Sequence, residues 1–145
     1  MTSFRAFGLA LIATAAIAST AHAQDALGDL TLTFPALTSN QGKVMIAVYD
    51  SAQGWSSGKP ARVAVASAAD APVAAKVVSL PPGTYAVRAF QDVDGDGKMG
   101  TNPFGLPVEP YGFSRDAAPN MGPPTFEAAA FDVKAGANAQ AIHLK

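Results

Sequence analysis

The sequence predicts an all-β protein: a single antiparallel β-sandwich of about seven strands with Greek-key connections and one long ordered loop. Three observations favour this class. Short segments alternate apolar and polar residues, and residues typical of turns separate them. Only residues 125–131 (TFEAAAF) could begin as a helical turn, and no internal repeat or second domain is visible.

The first four strands are predicted from a period of two, which marks a half-buried strand. They are residues 29–34, 40–50, 61–67 and 73–80, the second of them entered through a turn at Asn40 to Gly42. The residues expected to point inward are Leu30, Leu32, Phe34, Val44, Ile46, Val48, Val63, Val65, Val73, Ala75 and Val77.

Glycines mark the turns at the last three predicted strands. Pro82-Gly83 fits the middle of a type II turn, and the strand that follows runs to Phe90. Residues 130–136 and 138–145 are expected to form a final pair of strands around Gly136. In that pair His143 alternates with Ile142 and Leu144, so we expect its side chain to face solvent.

A long loop interrupts the strand pattern between residues 92 and 124. It contains six prolines and six glycines, and connections longer than about 12–15 residues without secondary structure are usually functional or disordered. Its apolar residues argue against disorder: Phe104, Leu106, Val108, Tyr111, Phe113 and Met121. We expect an ordered loop that folds back over the sandwich and carries the functional surface.

The N-terminus has the layout of a signal peptide over residues 1–23. Arg5 precedes an apolar run over residues 6–18, and Ala21-His22-Ala23 forms a small-x-small cleavage site. The alternative is an anchoring helix, but this run is shorter than the roughly 20 residues that a bilayer requires. We therefore expect residues 24–145 to form one domain without a membrane span.

Charge and cysteine content indicate the location of the protein and exclude one class of partner. Without Arg5 the chain carries nine basic and eleven acidic residues, which is not the electrostatic footprint of a nucleic-acid-binding protein. The sequence contains no cysteine, so it has no acceptor for lipidation at the cleavage site and no disulfide. We expect a periplasmic or secreted protein.

The long loop begins with an acidic motif. Asp92, Asp94, Asp96 and Gly97 match the first half of a calcium loop, D-x-D-x-D-G, in which alternate carboxylates converge on one ion. The backbone carbonyl of Lys98 is the expected fourth donor.

The second half of this motif departs from a helix-loop-helix calcium site. Its ninth and twelfth positions are Gly100 and Pro103, so it lacks the bidentate glutamate. Asn102, Glu109, a backbone carbonyl or water could complete the ligands. The alternative is a solvated turn, because aspartate and glycine also favour turns without an ion.

Four aromatic residues are candidates for a binding surface: Trp55, Phe104, Tyr111 and Phe113. The alternative for each is burial, and a plug on the end of the sandwich is the favoured reading of Trp55. Residues 54–58 also match the G-x-S-x-G pattern of a hydrolase nucleophile. They lack the strand-turn-helix context of that pattern, so we interpret them as a flexible loop.

Four blocks of sequence resemble the DUF2141 family of exported bacterial proteins. They are GKVMIAVYDSAQGW, LPPGTYAVRAFQDVDGDGKMGTN, FGLPVEPYGFS and GPPTFEAAAF, in that order. The resemblance covers the chain from about Leu30 to the C-terminus, and it implies a class and no activity. Gly100 stands where an aspartate is usual in the family, which removes one possible oxygen donor.

The LPPGTY strand also resembles that of transthyretin-like and carboxypeptidase-regulatory-like sandwiches, within the broader immunoglobulin-like class. We expect a non-catalytic binding or structural module of the bacterial envelope, with calcium as the candidate cofactor. Its partner would be an envelope protein, a glycan or a small ligand. The alternative is a carboxylate- or metal-dependent hydrolase that uses the same acidic loop.

Overall fold

Strands dominate the fold. The computed structural model describes residues 26–145, and the predicted signal peptide lies outside them. The eight strands are β1 (Gly28–Thr33), β2 (Lys43–Tyr49), β3 (Arg62–Ser67), β4 (Ala74–Leu80), β5 (Gly83–Asp92), β6 (Tyr111–Phe113), β7 (Phe131–Val133) and β8 (Gly136–Ala141). The short helices are α1 (Ala52–Ser57), a 3-10 helix (Ser114–Asp116) and α2 (Phe126–Ala129).

The strands form two sheets. The smaller sheet has the order β4-β1-β8, and the larger has the order β3-β2-β5-β6, with β7 also paired to β5. Neighbouring strands are antiparallel with one exception, because β1 and β8 run parallel from Gly28 opposite Gly136 to Thr33 opposite Ala141. The prediction of a purely antiparallel protein is therefore wrong at this pair, and Greek-key connectivity stays a prediction.

The last two strands do not pair with each other. β7 pairs with the start of β5, whereas β8 pairs with β1 in the other sheet. Gly136, at a φ of +86°, lies where the chain crosses between the sheets. Glycine adopts this left-handed conformation at little cost. Gly136, which was expected between a final pair of strands, therefore lies where the chain passes from one sheet to the other.

One hydrophobic core joins the two sheets. It contains Leu30 and Leu32 from the smaller sheet and Val44, Ile46 and Val87 from the larger sheet, all of them at most 3% exposed. The inward positions predicted for the first, second and fourth strands are confirmed. This burial of apolar area is the main stabilising term in a chain without disulfides.

The prediction for β3 is wrong by one residue. Val63 and Val65 are 74% and 53% exposed, and the residues between and beyond them, Ala64 and Ala66, point inward. Val63 pairs with Ala47 of β2, and directly paired residues lie on the same face of a sheet. Every residue of RVAVA after the arginine is apolar, so the pattern alone could not decide which face was buried.

A second cluster covers part of the outer face of the larger sheet. It consists of Tyr49, Trp55, Ala86, Phe113 and Ala129, which bring α1 and α2 onto the strands. α1 replaces the flexible loop that was predicted at residues 54–58. It begins where the Ser51 side chain accepts the Gly54 N–H, a typical helix cap.

The predicted helical turn near residue 125 is confirmed as α2. The hydroxyl oxygen of Thr125 accepts the N–H of Ala128, which caps the helix in the same way as the serine before α1. None of the helices among residues 26–145 is long and apolar enough to cross a membrane.

Candidate functional site

The acidic turn follows directly from β5, whose last residue is Asp92. This side chain is only 3% exposed, and its two oxygens accept the N–H groups of Gly95 and Gly97 at 2.8 and 3.0 Å. Both glycines have a φ near +80°, where a residue with a Cβ would be strained. The backbone is therefore wrapped around the first aspartate.

The other two aspartates shape the same turn and remain exposed. Asp94 accepts the N–H of Asp96 at 3.1 Å, and Asp96 accepts the N–H of Lys98 at 2.7 Å. One carboxylate oxygen from each of Asp92, Asp94 and Asp96 lies within 4.8 Å of the others. Three carboxylates this close could hold a metal ion, since they supply the oxygen ligands that hard cations prefer.

Asn102 and Glu109, the other side chains considered as ligands, are engaged elsewhere. The side-chain oxygen of Asn102 accepts the N–H groups of Phe104 and Leu106 at 2.9 and 3.0 Å. An amide oxygen has two lone pairs, so these two bonds occupy it within its own turn.

The carboxylate of Glu109 forms hydrogen bonds with both ends of the acidic turn. Its Oε1 accepts the N–H of Val93 at 2.9 Å, and its Oε2 accepts the N–H of Gly100 at 2.8 Å. The side chain is 9% exposed, and hydrogen bonds to a buried carboxylate are among the stronger ones in proteins. Sequence reasoning treated Glu109 as a possible ligand and missed this positioning role.

Gly100 leaves room for that carboxylate. A Cβ at this position would lie 3.1 Å from a methyl group of Val108 and 3.4 Å from the Cγ and Oε2 atoms of Glu109. The absence of a side chain at residue 100 thus coincides with the packed side chain of Glu109.

Beyond the turn, residues 100–108 form a small hairpin, which we call the tongue. Val108 N–H donates to the Gly100 carbonyl and Asn102 N–H donates to the Leu106 carbonyl, both at 2.9 Å. Phe104, Leu106 and Val108 are 88%, 60% and 63% exposed. The tongue is therefore an apolar surface beside an acidic one.

The four aromatic residues predicted to form a binding surface occupy three environments. Trp55 and Phe113 are buried in the second cluster, at 4% and 6% exposure. Tyr111 is half-buried, and Phe104 is exposed on the tongue. Trp55 donates its indole N–H to the Pro124 carbonyl at 2.9 Å. It is buried, but against the outer face of the larger sheet and not at the end of the sandwich.

Arg88 lies beside Trp55 and was not identified from the sequence. Its guanidinium carbon is 4.0 Å from the centroid of the Trp55 ring and 5.1 Å from that of Tyr49. Nη2 donates to the Trp55 carbonyl at 2.7 Å. Burial lowers the pKa of Arg88 below its ordinary value. Neither ion pair found in residues 26–145 involves this arginine.

His143 is exposed, as predicted, and is bonded to Asp116. Its Nδ1 lies 2.8 Å from Oδ2 of that carboxylate, and its backbone N–H donates to Oδ1 at 2.9 Å. The backbone hydrogen bond is the largest of the effects that lower the pKa of Asp116. Ser56 of the G-x-S-x-G match donates its hydroxyl to the Ala52 carbonyl within α1. Among residues 26–145 this serine therefore forms no catalytic triad.

Comparison with known proteins gives one match. A family model described as "Uncharacterized protein conserved in bacteria (DUF2141)" matches residues 33–141. Searches of curated proteins and of solved structures found no significant match. The matched span includes the acidic turn, the tongue and the arginine beside Trp55.

Proposed function

The chain belongs to the DUF2141 family, and from its acidic turn we propose that it is an exported, non-catalytic binding module of the bacterial envelope that holds a calcium ion. The observation that carries this proposal is the approach of three carboxylates to within 4.8 Å of one another on a turn already formed by backbone hydrogen bonds. The signal peptide expected over residues 1–23 supplies the route to the envelope.

Calcium suits the turn better than magnesium does. Calcium accepts 6–8 oxygen ligands in flexible geometry, whereas magnesium requires a near-ideal octahedron. The donors at hand are irregular: the carboxylates of Asp92, Asp94 and Asp96, the Lys98 carbonyl, and water. Since the bidentate glutamate of a helix-loop-helix site is missing, we expect a dissociation constant in the micromolar to millimolar range.

The tongue is the proposed contact surface for the partner. Exposed apolar side chains at Phe104, Leu106 and Val108 would be covered on binding, and this burial would drive association. Glu109 bonds to Val93 at the start of the turn and to Gly100 at the start of the tongue. An ion in the turn would therefore fix the base of the tongue as well. A protein of the envelope is the partner class that this apolar surface fits best.

A hydrolase is the weaker alternative. The carboxylates of Asp92 and Glu109 each accept two backbone N–H groups, so both already have a structural role in holding the turn. Cavities of about 360 and 300 Å³ are lined by residues between 33 and 73 and between 111 and 145, away from the acidic turn. No observation on this surface favours catalysis over binding.

Calorimetric titration with calcium tests the proposal. We expect saturable binding of one ion, with weaker binding of magnesium at the same concentration. The double variant Asp94→Asn/Asp96→Asn should lose the signal, and Asp70→Asn should keep it because that exposed residue lies outside the turn. Absence of heat at millimolar calcium, with the protein folded by circular dichroism, would leave the solvated turn as the correct interpretation.

A further inference from the structure

A cavity of about 300 Å³ lies beside β6, at the edge of the larger sheet. Residues 143–145 extend the sheet past β6, because Tyr111 N–H donates to the Lys145 carbonyl at 3.1 Å and Lys145 N–H donates to the Tyr111 carbonyl at 3.0 Å. Two residues that exchange both hydrogen bonds lie directly opposite each other, so their side chains share one face. This face lines the cavity together with residues 117–119.

His143 is held at this cavity by its backbone and by its side chain. A Cβ at Gly112 would lie 2.5 Å from the His143 carbonyl oxygen, so the chain approaches β6 this closely only because residue 112 has no side chain. The backbone N–H of His143 donates to Oδ1 of Asp116 at 2.9 Å, and Nδ1 of its ring lies 2.8 Å from Oδ2. These two contacts fix the ring and leave Nε2 as the nitrogen available to a ligand.

The polar groups that remain available in the cavity are this nitrogen and a cation. Both oxygens of Asp116 already bond to His143, whereas Lys145 takes part in neither ion pair of residues 26–145. The rest of the lining is mainly apolar: Tyr111, Phe113, Ala117, Ala118 and Pro119. A small number of polar groups on an apolar lining is typical of sites that bind small molecules.

We propose that this cavity binds a small organic acid, whose carboxylate lies against Lys145 and His143 and whose apolar body lies against Tyr111 and residues 117–119. A carboxylate accepts charge-assisted hydrogen bonds from an ammonium and from a protonated imidazole. Burial of the apolar body removes it from water and adds to the affinity. A metal ion fits less well, because among residues 26–145 the one cluster of three potential metal ligands is the acidic turn.

A carboxylate selects the charged form of His143. The neutral ring carries its proton on Nδ1, toward Asp116, and presents a lone pair at Nε2, whereas the charged ring presents an N–H there. Asp116 stays ionised near neutral pH, because its pKa is lowered from 3.8, first by the hydrogen bond from the His143 backbone N–H. The elements packed around the ring add Tyr111 from β6, Arg115 from the 3-10 helix and Lys145, and β8 adds no charge. Histidine gains its charge between about pH 8 and 5, so binding should strengthen as the pH falls through this range.

NMR titration of the ¹⁵N-labelled protein with benzoate tests the proposal. The buffer is Bis-Tris near pH 6, free of carboxylates and phosphate and treated with a chelating resin. We expect saturable shifts of the amide signals of Tyr111, Gly112 and His143, with a dissociation constant on the order of millimolar, as for other ligands of this size. Absence of saturable shifts at about 20 mM benzoate, well above such constants, would overturn the proposal.

Two further probes separate the charge from the apolar body. Benzamide has the shape of benzoate without its charge, and acetate has the charge without the ring. Each should bind at least about fivefold more weakly than benzoate, because one loses the charge-assisted hydrogen bonds and the other loses the apolar burial. Benzamide binding as tightly as benzoate would show that the cavity does not recognise a carboxylate.

A variant of His143 tests the assigned nitrogen. The amide nitrogen of His143→Asn can take the place of Nδ1 and keep the bond to Asp116, but the variant has no group at the position of Nε2. We expect its affinity for benzoate to fall at least about fivefold and to vary little between pH 6 and 8, where the wild type binds more tightly at the lower pH. Wild-type affinity and pH dependence in this variant would contradict the orientation.

Two exposed lysines provide a matched pair. Lys145→Gln should weaken benzoate binding several-fold, and Lys134→Gln, outside the cavity, should leave it unchanged. Equal effects of the two substitutions would show that benzoate responds only to the overall charge of the protein. The double variant Asp94→Asn/Asp96→Asn should bind benzoate as the wild type does, so this site and the proposed calcium site succeed or fail separately.

Discussion

The guanidinium carbon of Arg88 lies over the Trp55 ring, 4.0 Å from its centroid, and the guanidinium donates a hydrogen bond to the carbonyl of the same residue. The pair combines a cation–π contact with a charge-assisted hydrogen bond. It also links α1 to the middle of β5, although the two residues are 33 positions apart in sequence.

We predict that Trp55→Ala destabilises the protein by about 3–5 kcal/mol, because it empties a packed site and releases the arginine. Urea denaturation followed by far-UV circular dichroism measures this change. Fluorescence is unsuitable, since the variant lacks the only tryptophan. Phe104→Ala is the control: this residue is 88% exposed, so its free energy of unfolding should change by no more than about 0.5 kcal/mol. Comparable losses in both variants would argue against a stabilising role of Trp55.

We predict that calcium raises the melting temperature and that EGTA reverses the effect. Saturation at about 100 times the dissociation constant adds roughly 2.7 kcal/mol, which corresponds to several degrees for a domain of this size. Differential scanning calorimetry measures the shift. The double variant Asp94→Asn/Asp96→Asn should show none, and its melting temperature in EGTA should be no lower than that of the wild type, because repulsion between carboxylates is relieved.

We predict that Glu109→Gln lowers the free energy of unfolding by about 1–3 kcal/mol. The new amide nitrogen would face a backbone N–H and leave a buried donor without an acceptor. Urea denaturation in EGTA is the measurement, so that any role of Glu109 toward an ion does not contribute. Glu127→Gln, on an exposed side chain of α2, provides the control and should change little. If Glu109→Gln lowers the free energy of unfolding only when calcium is present, Glu109 is an ion ligand and its hydrogen bonds do not stabilise the turn.

We predict that the contribution of Asp116 to stability is lost in acid. Its pKa in the folded protein is lowered from 3.8, first by the hydrogen bond from the His143 backbone N–H. A lowered pKa means that the unfolded chain takes up the proton first as the pH falls. The stabilisation is therefore complete well above pH 3.8 and disappears as the pH falls through the lower, folded value.

The measurement compares thermal melting of the wild type and Asp116→Asn between about pH 2 and 7. The wild-type advantage should shrink as the pH falls below 3.8, because both proteins then present a neutral side chain. A difference that is the same at all pH values would show that the charge of Asp116 is not what stabilises the contact.

The sequence predicted the strands best where one face alternates clearly. In β1 and β2 the residues between the inward positions point to the opposite face. The structure buries these four inward residues: Leu30, Leu32, Val44 and Ile46. The same reasoning failed in β3, where alanine and valine alternate and hydrophobicity does not distinguish the faces. There the register with β2 decides, and register depends on the pairing partner.

Residues that act through distant contacts were the least predictable. β6 is only three residues long and consists of Tyr-Gly-Phe, so it shows no period. The roles of Arg88 and Glu109 depend on which backbone groups the fold brings to them, and no local pattern encodes this. The acidic turn was predictable because its hydrogen bonds run between near neighbours, from Asp92 to Gly95 and Gly97.

The narrow space at Gly100 has a consequence for engineering. An aspartate at position 100 would add no ion ligand in this protein as it now stands. Its methylene would act as a wedge between Val108 and Glu109, and its charge would oppose a carboxylate already committed to that backbone. Introducing an aspartate at position 100 would therefore require a smaller or neutral side chain at position 109 in the same step.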